Sequence, residues 1–501
     1  MEKREEVAKS KPNASWDIWK PLWISLAFAL GMLVRVSLDQ SDEIPLFKVS
    51  KHSIPTSSKF AAIKSFVGEE YYQKVNTDSM EELAIEEMVD HLDPYSTYFS
   101  AKQQNDHLLA LQGNHKGIGI EYQVIEDSVY VTRIIPNGPA FNSKLKLGDI
   151  ILEANDSIIS GIEKEGLAIH KALVGEENST LRLKVKSLDG RLAQLDIKRG
   201  SYEIPSIDPP IKLAKNILYL KINHFSSKVY GDFMKYLENN LDHTQPTNLI
   251  FDVRDNPGGI LQEVTKMLSQ LITDKSVLLV YTDGDNQQKN EYMSAGKAFF
   301  NLGKIAVLIN QNSASASEVL AGSLQDHDRA VIVGNNSFGK GLVQTDREFE
   351  DGSAVKLTIS KYYLPSGRCI QRPLNAKEKA ENAKNTKEFF TAKGRKMTEG
   401  EGIQPDIRLL DMSSDSLQNL IFEINKIAFK QARKNKFQYS NQLNWSQVLS
   451  KAPSISKNFN TKTTETLAET AFIKYCQNNK PSNEILINEP YIKAAIQSFK
   501  Y

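Results

Sequence analysis

Apolar and polar positions divide the chain into stretches with different periods. Between residues 63 and 112, apolar residues recur every three or four positions, which predicts amphipathic helices. From residue 116 to about 200 the period shortens to two, as expected of half-buried β-strands. Beyond residue 202, apolar runs such as residues 305–309 alternate with helical periods, which indicates an α/β arrangement. The polar stretch after residue 412 is helical again and is predicted to form a separate helical region.

An apolar run near the N-terminus stands apart from this pattern. Residues 22–34 are almost wholly apolar and follow a tail that carries several lysines. The run is short for a membrane span, but the flanking tryptophans suit a membrane interface and Arg35 could extend its usable length. Because no Ala-x-Ala-like cleavage site follows, we expect an uncleaved signal anchor at residues 21–38, with residues 1–20 in the cytoplasm. A cleaved signal peptide is the alternative.

Composition adds little to this picture. The chain has 501 residues and a formal net charge of +1, so its charge gives no reason to expect nucleic acid as a partner. Cys369 and Cys476 could pair if the chain is exported, but their spacing establishes no disulfide, and no Cys/His spacing resembles a zinc site. Residues 375–400 are rich in Lys, Glu and Asn and are predicted to form an exposed helix or loop.

A cluster of small hydroxyl residues stands where a predicted strand gives way to a predicted helix. This serine turn, Ser-Ala-Ser-Ala-Ser-Glu at residues 313–318, follows the apolar run 305–309. A strand-to-helix turn exposes a side chain and points backbone N–H groups at whatever lies above the helix N-terminus, which suits a nucleophile and an oxyanion hole. Serine is also a preferred N-cap residue, so a helix cap is the simpler interpretation of this stretch alone.

Two glycine-containing loops stand on either side of the serine turn in the sequence. The Gly-Gly loop, Asp-Asn-Pro-Gly-Gly at residues 255–259, ends a predicted strand and precedes a helix, so its N–H groups could face an anion. A plain turn is the alternative, and a phosphate loop is disfavoured because no Lys-Ser/Thr follows. Lys340 lies between two glycines in a compact loop, where a lysine is usually a surface turn residue.

The strand-rich region opens on a loop of Gly117, Ile118, Gly119 and Ile120, and Pro139-Ala140 and Leu147-Gly148-Asp149 follow. These motifs and their spacings resemble a PDZ domain of the bacterial type, in which the loop would bind a carboxylate. Residues 143–145 depart from the family pattern, because they read Ser-Lys-Leu where Ala-Gly-Leu is frequent. The resemblance implies free N–H groups that hold a peptide carboxylate, beside a strand that accepts an added peptide strand. A small β-domain without a ligand is the alternative.

Several motifs in a fixed order resemble the carboxyl-terminal processing (tail-specific) protease family over about residues 60–410. The motifs are Leu-Asp-Pro-Tyr-Ser at 92–96, Asp-Val-Arg-Asp-Asn-Pro-Gly-Gly at 252–259, the serine turn, Ser-Phe-Gly-Lys-Gly-Leu-Val-Gln at 337–344, Tyr-Tyr-Leu-Pro-Ser-Gly-Arg at 362–368 and Gly-Ile-Gln-Pro-Asp at 402–406. We interpret the aromatic turn at residues 95–100 as simple core packing.

The resemblance implies a multidomain α/β (α+β) fold. It would consist of a crotonase-like, ClpP-like α/β protease core with an inserted PDZ β-domain and helical N- and C-terminal segments. The predicted boundaries are a linker and helical region at 39–112, the PDZ domain at 113–200, the serine protease core at 201–411 with the 375–400 insertion, and a helical C-terminal extension at 412–501.

The resemblance also implies a Ser-Lys dyad. Ser315 would be the nucleophile, Lys340 the general base, and Gln344 the residue that orients the lysine. A serine hydroxyl needs an adjacent base, and a lysine can act as one only if burial lowers its pKa from about 10.4 towards roughly 7–8. No cofactor or metal is expected.

The oxyanion hole would consist of the N–H of Ala316 and that of Gly258 or Gly259, and the sequence does not decide between the two glycines. A Ser-His-Asp arrangement with His327 and Asp326 is the rival. If residues 316–327 form one helix, His327 would lie about 18 Å from the nucleophile, far outside hydrogen-bond reach.

These expectations combine into a membrane-anchored, exported serine endopeptidase that cuts proteins near their C-termini. The PDZ domain would recognise substrate tails or gate activity. We expect a single-pass protein of the cell inner membrane with its catalytic part in the periplasm, acting on proteins with unstructured C-terminal tails, and joined by a second copy or a regulatory protein. A non-catalytic, membrane-anchored PDZ scaffold is the alternative, and a nucleotide enzyme built on the Gly-Gly loop is disfavoured by its missing phosphate lysine.

Overall fold

The computed structural model describes residues 59–161, 166–241, 244–296, 298–376, 378–380, 387–409, 414–440, 442–451, 461–479 and 483–500. The predicted cytoplasmic tail and signal anchor lie outside these residues. Within them, every helix is too short or too polar to cross a membrane. The described residues up to Glu81 belong to one compact unit, and those from Glu82 onwards belong to a second.

The first unit is helical where the structure describes it. Helix α1 is Lys59–Glu70, and helix α2 is Thr77–Asp90, which continues into the second unit. Lys64 Nζ donates a 2.8 Å hydrogen bond to Asp78 and also pairs with Glu81. In the second unit, strand β1 (Thr97–Phe99) and helix α3 (Ala101–Leu111) follow. The helices predicted from the apolar period between residues 63 and 112 are confirmed.

The predicted PDZ domain forms a sheet with one helix. Strands β2 and β9 enclose it, since Asn114–Gly117 pairs with Gly200–Glu203 in antiparallel register and brings the entering and leaving chain together. The remaining elements are β3 (Ile120–Ile125), β4 (Ser128–Ile134), β5 (Ile150–Ala154), β6 (Ser157–Ile158), α4 (Gly166–Leu173), β7 (Thr180–Lys186) and β8 (Leu192–Lys198). The sheet order is β3-β4-β5-β7-β8, so β3 is an edge strand.

A mainly parallel sheet organises the rest of the second unit. Its order is β10-β11-β12-β15-β16-β21, and all neighbours except β10 and β11 are parallel. The strands are β10 (Ile211–Ala214), β11 (Ile217–Lys221), β12 (Thr247–Asp252), β15 (Leu302–Ile309), β16 (Ala330–Gly334) and β21 (Ile407–Arg408). Their apolar runs are nearly continuous because helices cover both faces of the sheet.

Three helices and a second sheet complete this core. The helices are α5 (Val229–Asn240), α6 (Leu261–Leu271) and α7 (Ala316–Asp326). The second sheet is antiparallel and consists of β1, β13 (Lys275–Gly284), β14 (Gln287–Ala295), β17 (Leu342–Glu348) and β18 (Ala354–Tyr363). Side chains from both sheets and the helices share one buried cluster.

The described second half of the predicted insertion, residues 387–400, is mostly exposed, as predicted, and it contains a short hairpin. Strands β19 (Phe389–Phe390) and β20 (Lys396–Met397) form a hairpin. The N–H of Ala392 donates to the carbonyl of Asp326 at 2.7 Å, and Arg395 pairs with Asp328 and Asp406. Ala392 and Arg395 therefore attach the hairpin to the end of α7 and to the residues around it.

The C-terminal extension is helical, as predicted, but it packs against the rest of the second unit. The prediction of a separate helical region is therefore wrong. It consists of α8 (Ser414–Lys434), α9 (Trp445–Leu449), α10 (Thr461–Asn479), α11 (Asn483–Ile487) and α12 (Pro490–Ser498). Phe429 on α8 lies edge-on to Tyr130 of the predicted PDZ domain, with ring centroids 5.2 Å apart. Tyr491 and Ile492 on α12 pack against the outer face of the parallel sheet. The extension therefore contacts both domains.

The ring of Phe429 is fully buried at the junction of the extension and the PDZ sheet. We expect Phe429→Ala to lower the free energy of unfolding by about 3–5 kcal/mol, because it leaves a cavity where four aromatic rings meet. Phe422→Ala on the same helix is the matched control. Phe422 is 47% exposed, so its loss should cost less than about 1 kcal/mol. Urea denaturation measures both, and equal costs would contradict the assigned packing.

Candidate active site

Three loops leave the carboxyl ends of three neighbouring parallel strands. The Gly-Gly loop follows β12, the serine turn follows β15, and the lysine loop (residues 335–341) follows β16. Asp252 pairs with Leu308, and Ile309 pairs with Gly334, so the three strands end at the same level. Carboxyl ends of parallel strands meet at one edge of a sheet. The topology therefore gathers segments that are far apart in sequence.

The structure distinguishes the three serines of the serine turn. Ser313 and Ser317 are both fully buried, and their hydroxyls donate to the backbone carbonyls of Val253 and Asn256 at 2.7 and 3.0 Å. Ser315 is partly exposed. Its backbone has φ 55° and ψ −115°, a strained conformation for a residue other than glycine, of the kind that presents a nucleophile at a sharp turn.

A buried carboxylate, Glu318, connects the serine turn to the lysine loop. Its Oε2 accepts the N–H groups of Ser315 and Lys340, both at 2.8 Å. Its Oε1 accepts the Ser337 hydroxyl at 2.5 Å and the N–H of Gly339 at 2.7 Å. Burial raises the pKa of Glu318 to about 7, and the four donors oppose that rise. Because all four partners donate, the arrangement suits the ionised, acceptor-only form of the carboxyl group.

The amine of Lys340 has a neutral hydrogen-bond partner. Nζ donates to Gln344 Oε1 at 2.7 Å and lies 4.7 Å from the centre of the Tyr95 ring. Gln344 is itself fixed, since its Nε2 donates to the carbonyl of Tyr95. Burial is the largest cause that lowers the pKa of Lys340, to about 8, and nearby Lys356 lowers it further. Part of the amine is therefore neutral near neutral pH.

Tyr362 completes the link between the two loops. Its buried hydroxyl donates to the carbonyls of both Ser315 and Lys340. Among the described residues, the amine of Lys340 hydrogen bonds to Gln344 and not to the hydroxyl of Ser315. The serine and the lysine are thus held by shared partners, Glu318 and Tyr362, rather than by a direct bond.

The Gly-Gly loop lies directly against the serine turn. Gly258 has φ 105°, and a Cβ at this position would come within 2.8 Å of Ser315 Cβ and 3.0 Å of Ala316 N, so only glycine fits without a shift. The N–H of Gly258 donates to Asn256 Oδ1 at 2.9 Å. Within the part of the chain that the structure describes, the N–H groups of Gly259 and Ala316 have no protein acceptor. These two are available to an oxyanion.

The predicted carboxylate-binding loop of the PDZ domain lies on a different domain from the serine turn. Gly117 and Gly119 have φ 145° and 73°, and the carbonyl of Ile118 accepts the N–H of Ala140 at 2.8 Å. Among the described residues, the N–H groups of Ile118 and Gly119 have no protein acceptor. Ile120 begins the edge strand β3. The geometry is compatible with peptide addition, and the role of the loop stays a prediction.

The rival Ser-His-Asp arrangement does not form. His327 caps the C-terminal end of α7, and this helix of 11 residues separates it from Ser315 by about 18 Å. Its Nε2 lies 2.8 Å from the carbonyl of Leu278. Asp326 pairs instead with the buried Arg368 at 2.8 Å. Within the described ranges, no group of three or more His, Cys, Asp or Glu side chains could hold a metal ion, and both cysteines are free and buried.

Sequence reasoning assigned no role in this site to three of its residues, Glu318, Tyr95 and Tyr362. Glu318 was available from the sequence, because Ser315 and Glu318 form the Ser-x-x-Glu pattern of a capping box. Tyr95 was interpreted as core packing, which is wrong, since its ring contacts the Lys340 amine and its carbonyl holds Gln344. Asp93 fixes that turn by accepting the N–H groups of Tyr95 and Ser96 at 2.8 and 2.9 Å.

Comparison with known proteins finds family models, relatives and solved structures that are similar to this chain. Residues 216–377 match the model of peptidase family S41, and residues 117–198 match that of the PDZ domain. A "Probable CtpA-like serine protease" of Staphylococcus haemolyticus (strain JCSC1435) is 29% identical over 69% of this chain and 67% of its own length. A protein of the same name from Staphylococcus aureus (strain MRSA252) is 31% identical over 62% of each chain. Among solved structures, the photosystem II D1 C-terminal processing protease is similar with a TM-score of 0.40 and 21% identity, over 73% of this chain and 91% of that one.

The fold and the matches together define a serine peptidase that contains a PDZ domain. The chain carries a peptidase family S41 segment and a PDZ segment, and it is similar to CtpA-like serine proteases. The predicted family and the predicted multidomain α/β fold class are therefore confirmed.

Glu318→Gln should damage both stability and the site. The amide nitrogen cannot accept hydrogen bonds, so two of the four buried donors lose their acceptor, at about 1–3 kcal/mol each. Urea denaturation and the rate of peptide hydrolysis measure the two effects. Glu263→Gln on α6 is the control, because that buried glutamate pairs only with surface Lys266 among the described residues. Wild-type hydrolysis by Glu318→Gln would contradict the bridging role.

Proposed function

We propose that this serine protease uses a Ser-Lys dyad, with Ser315 as nucleophile and Lys340 as general base. One observation carries the proposal: a half-buried lysine with a pKa lowered to about 8 is bound to a neutral amide beside the one partly exposed serine of a strained turn. A lysine serves as a base only in its neutral form, and a neutral partner allows that form to persist. Gln344 orients the amine.

The proposed reaction proceeds through an acyl-enzyme. The Ser315 hydroxyl adds to the carbonyl carbon of the scissile bond while its proton passes to the neutral amine of Lys340. The N–H groups of Ala316 and Gly259 stabilise the negative charge on the carbonyl oxygen. The Lys340 ammonium then gives its proton to the leaving amine as the C–N bond breaks. Water, deprotonated by the same amine, hydrolyses the ester and restores the serine.

The same proposal assigns the PDZ domain to substrate tails. The free N–H groups of Ile118 and Gly119 would hold a terminal carboxylate, and edge strand β3 would pair with the residues before it. This mode supports proteins with unstructured C-terminal tails as substrates, cut by an endopeptidase near those ends. A gating role for the domain is the second form of the proposal, supported by its contact with the C-terminal extension.

We also propose an N-terminal anchor in the inner membrane and a periplasmic catalytic part. The support is the apolar run at residues 22–34 with its preceding lysines, which lies outside the described residues. The proposal also includes a protein partner, which is either a second copy of the chain or a regulatory protein. The alternative, a non-catalytic PDZ scaffold, is disfavoured because Ser315 and Lys340 lie at one sheet edge with two N–H groups that have no acceptor among the described residues.

Ser315→Ala should abolish hydrolysis of an unfolded protein substrate and labelling by a fluorophosphonate probe, while the unfolding midpoint stays unchanged. Ser313→Ala and Ser317→Ala are the controls, since each removes a buried hydrogen bond worth about 1 kcal/mol but leaves Ser315 in place. They should therefore lower stability and keep labelling. Labelling of Ser315→Ala would refute the assignment of the nucleophile.

The pH dependence tests the base. Because the neutral amine is the active form, hydrolysis should rise about tenfold per pH unit below pH 8 and level off above it. Lys356→Ala removes a positive neighbour, so the pKa of Lys340 and the midpoint of the profile should move to higher pH. Lys361→Ala, an exposed lysine on the same strand, is the control. A profile that Lys356→Ala leaves in place would argue against Lys340 as the titrating group.

A further inference from the structure

Helix α10 of the C-terminal extension touches the PDZ domain and the catalytic loops with adjacent residues. The hydroxyl of Tyr475 donates to Gln123 Oε1 at 2.7 Å, and Gln123 lies on the PDZ edge strand β3. Lys474 Nζ donates to Asp255 Oδ2 at 3.0 Å. Asp255 is the first residue of the Gly-Gly loop. One helix therefore contacts the strand proposed to receive peptides and the loop proposed to bind the oxyanion.

Asp255 ties the Gly-Gly loop to the segment that enters the serine turn. Its Oδ1 accepts the side-chain amides of Asn310 and Asn312, both at 2.9 Å, and its N–H donates to Asn310 Oδ1 at 3.0 Å. Asp255 has φ 61°, in the left-handed region that aspartate adopts more readily than most residues, and the hydrogen bonds of its side chain hold it there. Lys474 is the partner of the second carboxylate oxygen.

Asn256 follows Asp255 and connects it by hydrogen bonds to the serine turn and to Gly258. The carbonyl of Asn256 accepts the N–H of Ala314 and the hydroxyl of Ser317, both at 3.0 Å. Its side chain holds the N–H of Gly258 at 2.9 Å. A rotation at Asp255 would therefore displace both the glycines and the serine turn.

The C-terminal extension also contacts a residue next to the Gly-Gly loop and the first residue of the lysine loop. Arg254 Nη1 donates to the buried Glu489 at 2.7 Å, and the guanidinium lies 4.6 Å from the ring centre of Tyr491. Asn335, the first residue of the lysine loop, donates to the Tyr491 hydroxyl at 3.1 Å. The contact of Lys474 is thus one of several by which the extension meets the catalytic edge of the sheet.

Exposure separates a positioning role from a stabilising one. The side chain of Lys474 is 62% exposed and that of Asp255 is 42% exposed. Exposed ion pairs contribute little to stability, so removing this one should leave the protein folded. Reaction rates depend on geometry much more steeply, since a misplacement of about 1 Å can cost on the order of 100-fold.

We propose that Lys474 is a positioning residue for peptide-bond hydrolysis. Through Asp255 it fixes the loop that presents the oxyanion donors beside Ser315, and it does so from a helix docked on the PDZ domain. This inference rests on the proposed function. The protease core of this chain is then incomplete without its C-terminal extension.

Kinetics of Lys474→Met in the full chain test the proposal. We expect kcat for a fluorogenic peptide to fall by about 10- to 100-fold with KM nearly unchanged, because the loop contacts the transition state rather than the bound substrate. Lys474→Arg should restore most of the loss. In the wild type, raising NaCl should lower kcat by screening this exposed pair, whereas Lys474→Met should not respond. Lys430→Met is the control, since Lys430 is a lysine of the same extension that pairs with PDZ residue Glu126 and not with the loop.

Hydrogen–deuterium exchange gives a readout that does not need activity. Peptides covering residues 253–262 and 309–316 should exchange faster in Lys474→Met than in the wild type, and should not change in Lys430→Met. Wild-type kcat and unchanged exchange in Lys474→Met would overturn the inference, as would an equal loss in Lys430→Met. A wild type that neither cleaves nor reacts with a fluorophosphonate would refute the Ser-Lys proposal instead, and the exchange result would still decide whether Lys474 holds the loop.

Discussion

The carboxylate of Glu318 is the interaction on which the arrangement of the site depends. It is fully buried, yet it accepts four hydrogen bonds from the serine turn and the lysine loop, which leave different strands. A buried carboxylate is costly unless its lone pairs are satisfied, and the segments that supply the donors must therefore keep their places together. The positions of Ser315 and Lys340 follow from this shared acceptor.

The same geometry holds Lys340 in place without stabilising the charged form of its amine. A carboxylate next to the amine of Lys340 would raise the pKa of that amine and leave it charged. Glu318 instead accepts the backbone N–H of Lys340, while the amine meets the neutral oxygen of Gln344. Burial can then lower the pKa to about 8, although Asp93 and Glu318 still oppose it from a distance.

How far the sequence predicts this protein depends on how local each feature is. Apolar periods predicted the strands and helices, and the residues around Ser315 and Lys340 predicted the family, because both signals lie within short segments. Burial of Ser313 and Ser317 depends on carbonyls of the neighbouring loop, and the contact of Tyr95 with Lys340 joins segments far apart in the chain. The helical character of the stretch after residue 412 was predicted, but the contacts of α8 with the PDZ sheet were not, because they join segments far apart in the chain.

The C-terminal extension changes how the two domains are related. The PDZ domain enters and leaves the core through one short strand pair, β2 and β9, which by itself would permit a pivot. The extension adds a second connection, because Phe429 and Tyr475 hold the PDZ sheet while Tyr491 packs on the parallel sheet. A domain that contacts the core at two separated places can adopt fewer orientations than one that is connected only through a single strand pair. The position of the edge strand β3 relative to Ser315 therefore depends on residues that lie beyond both matched domains.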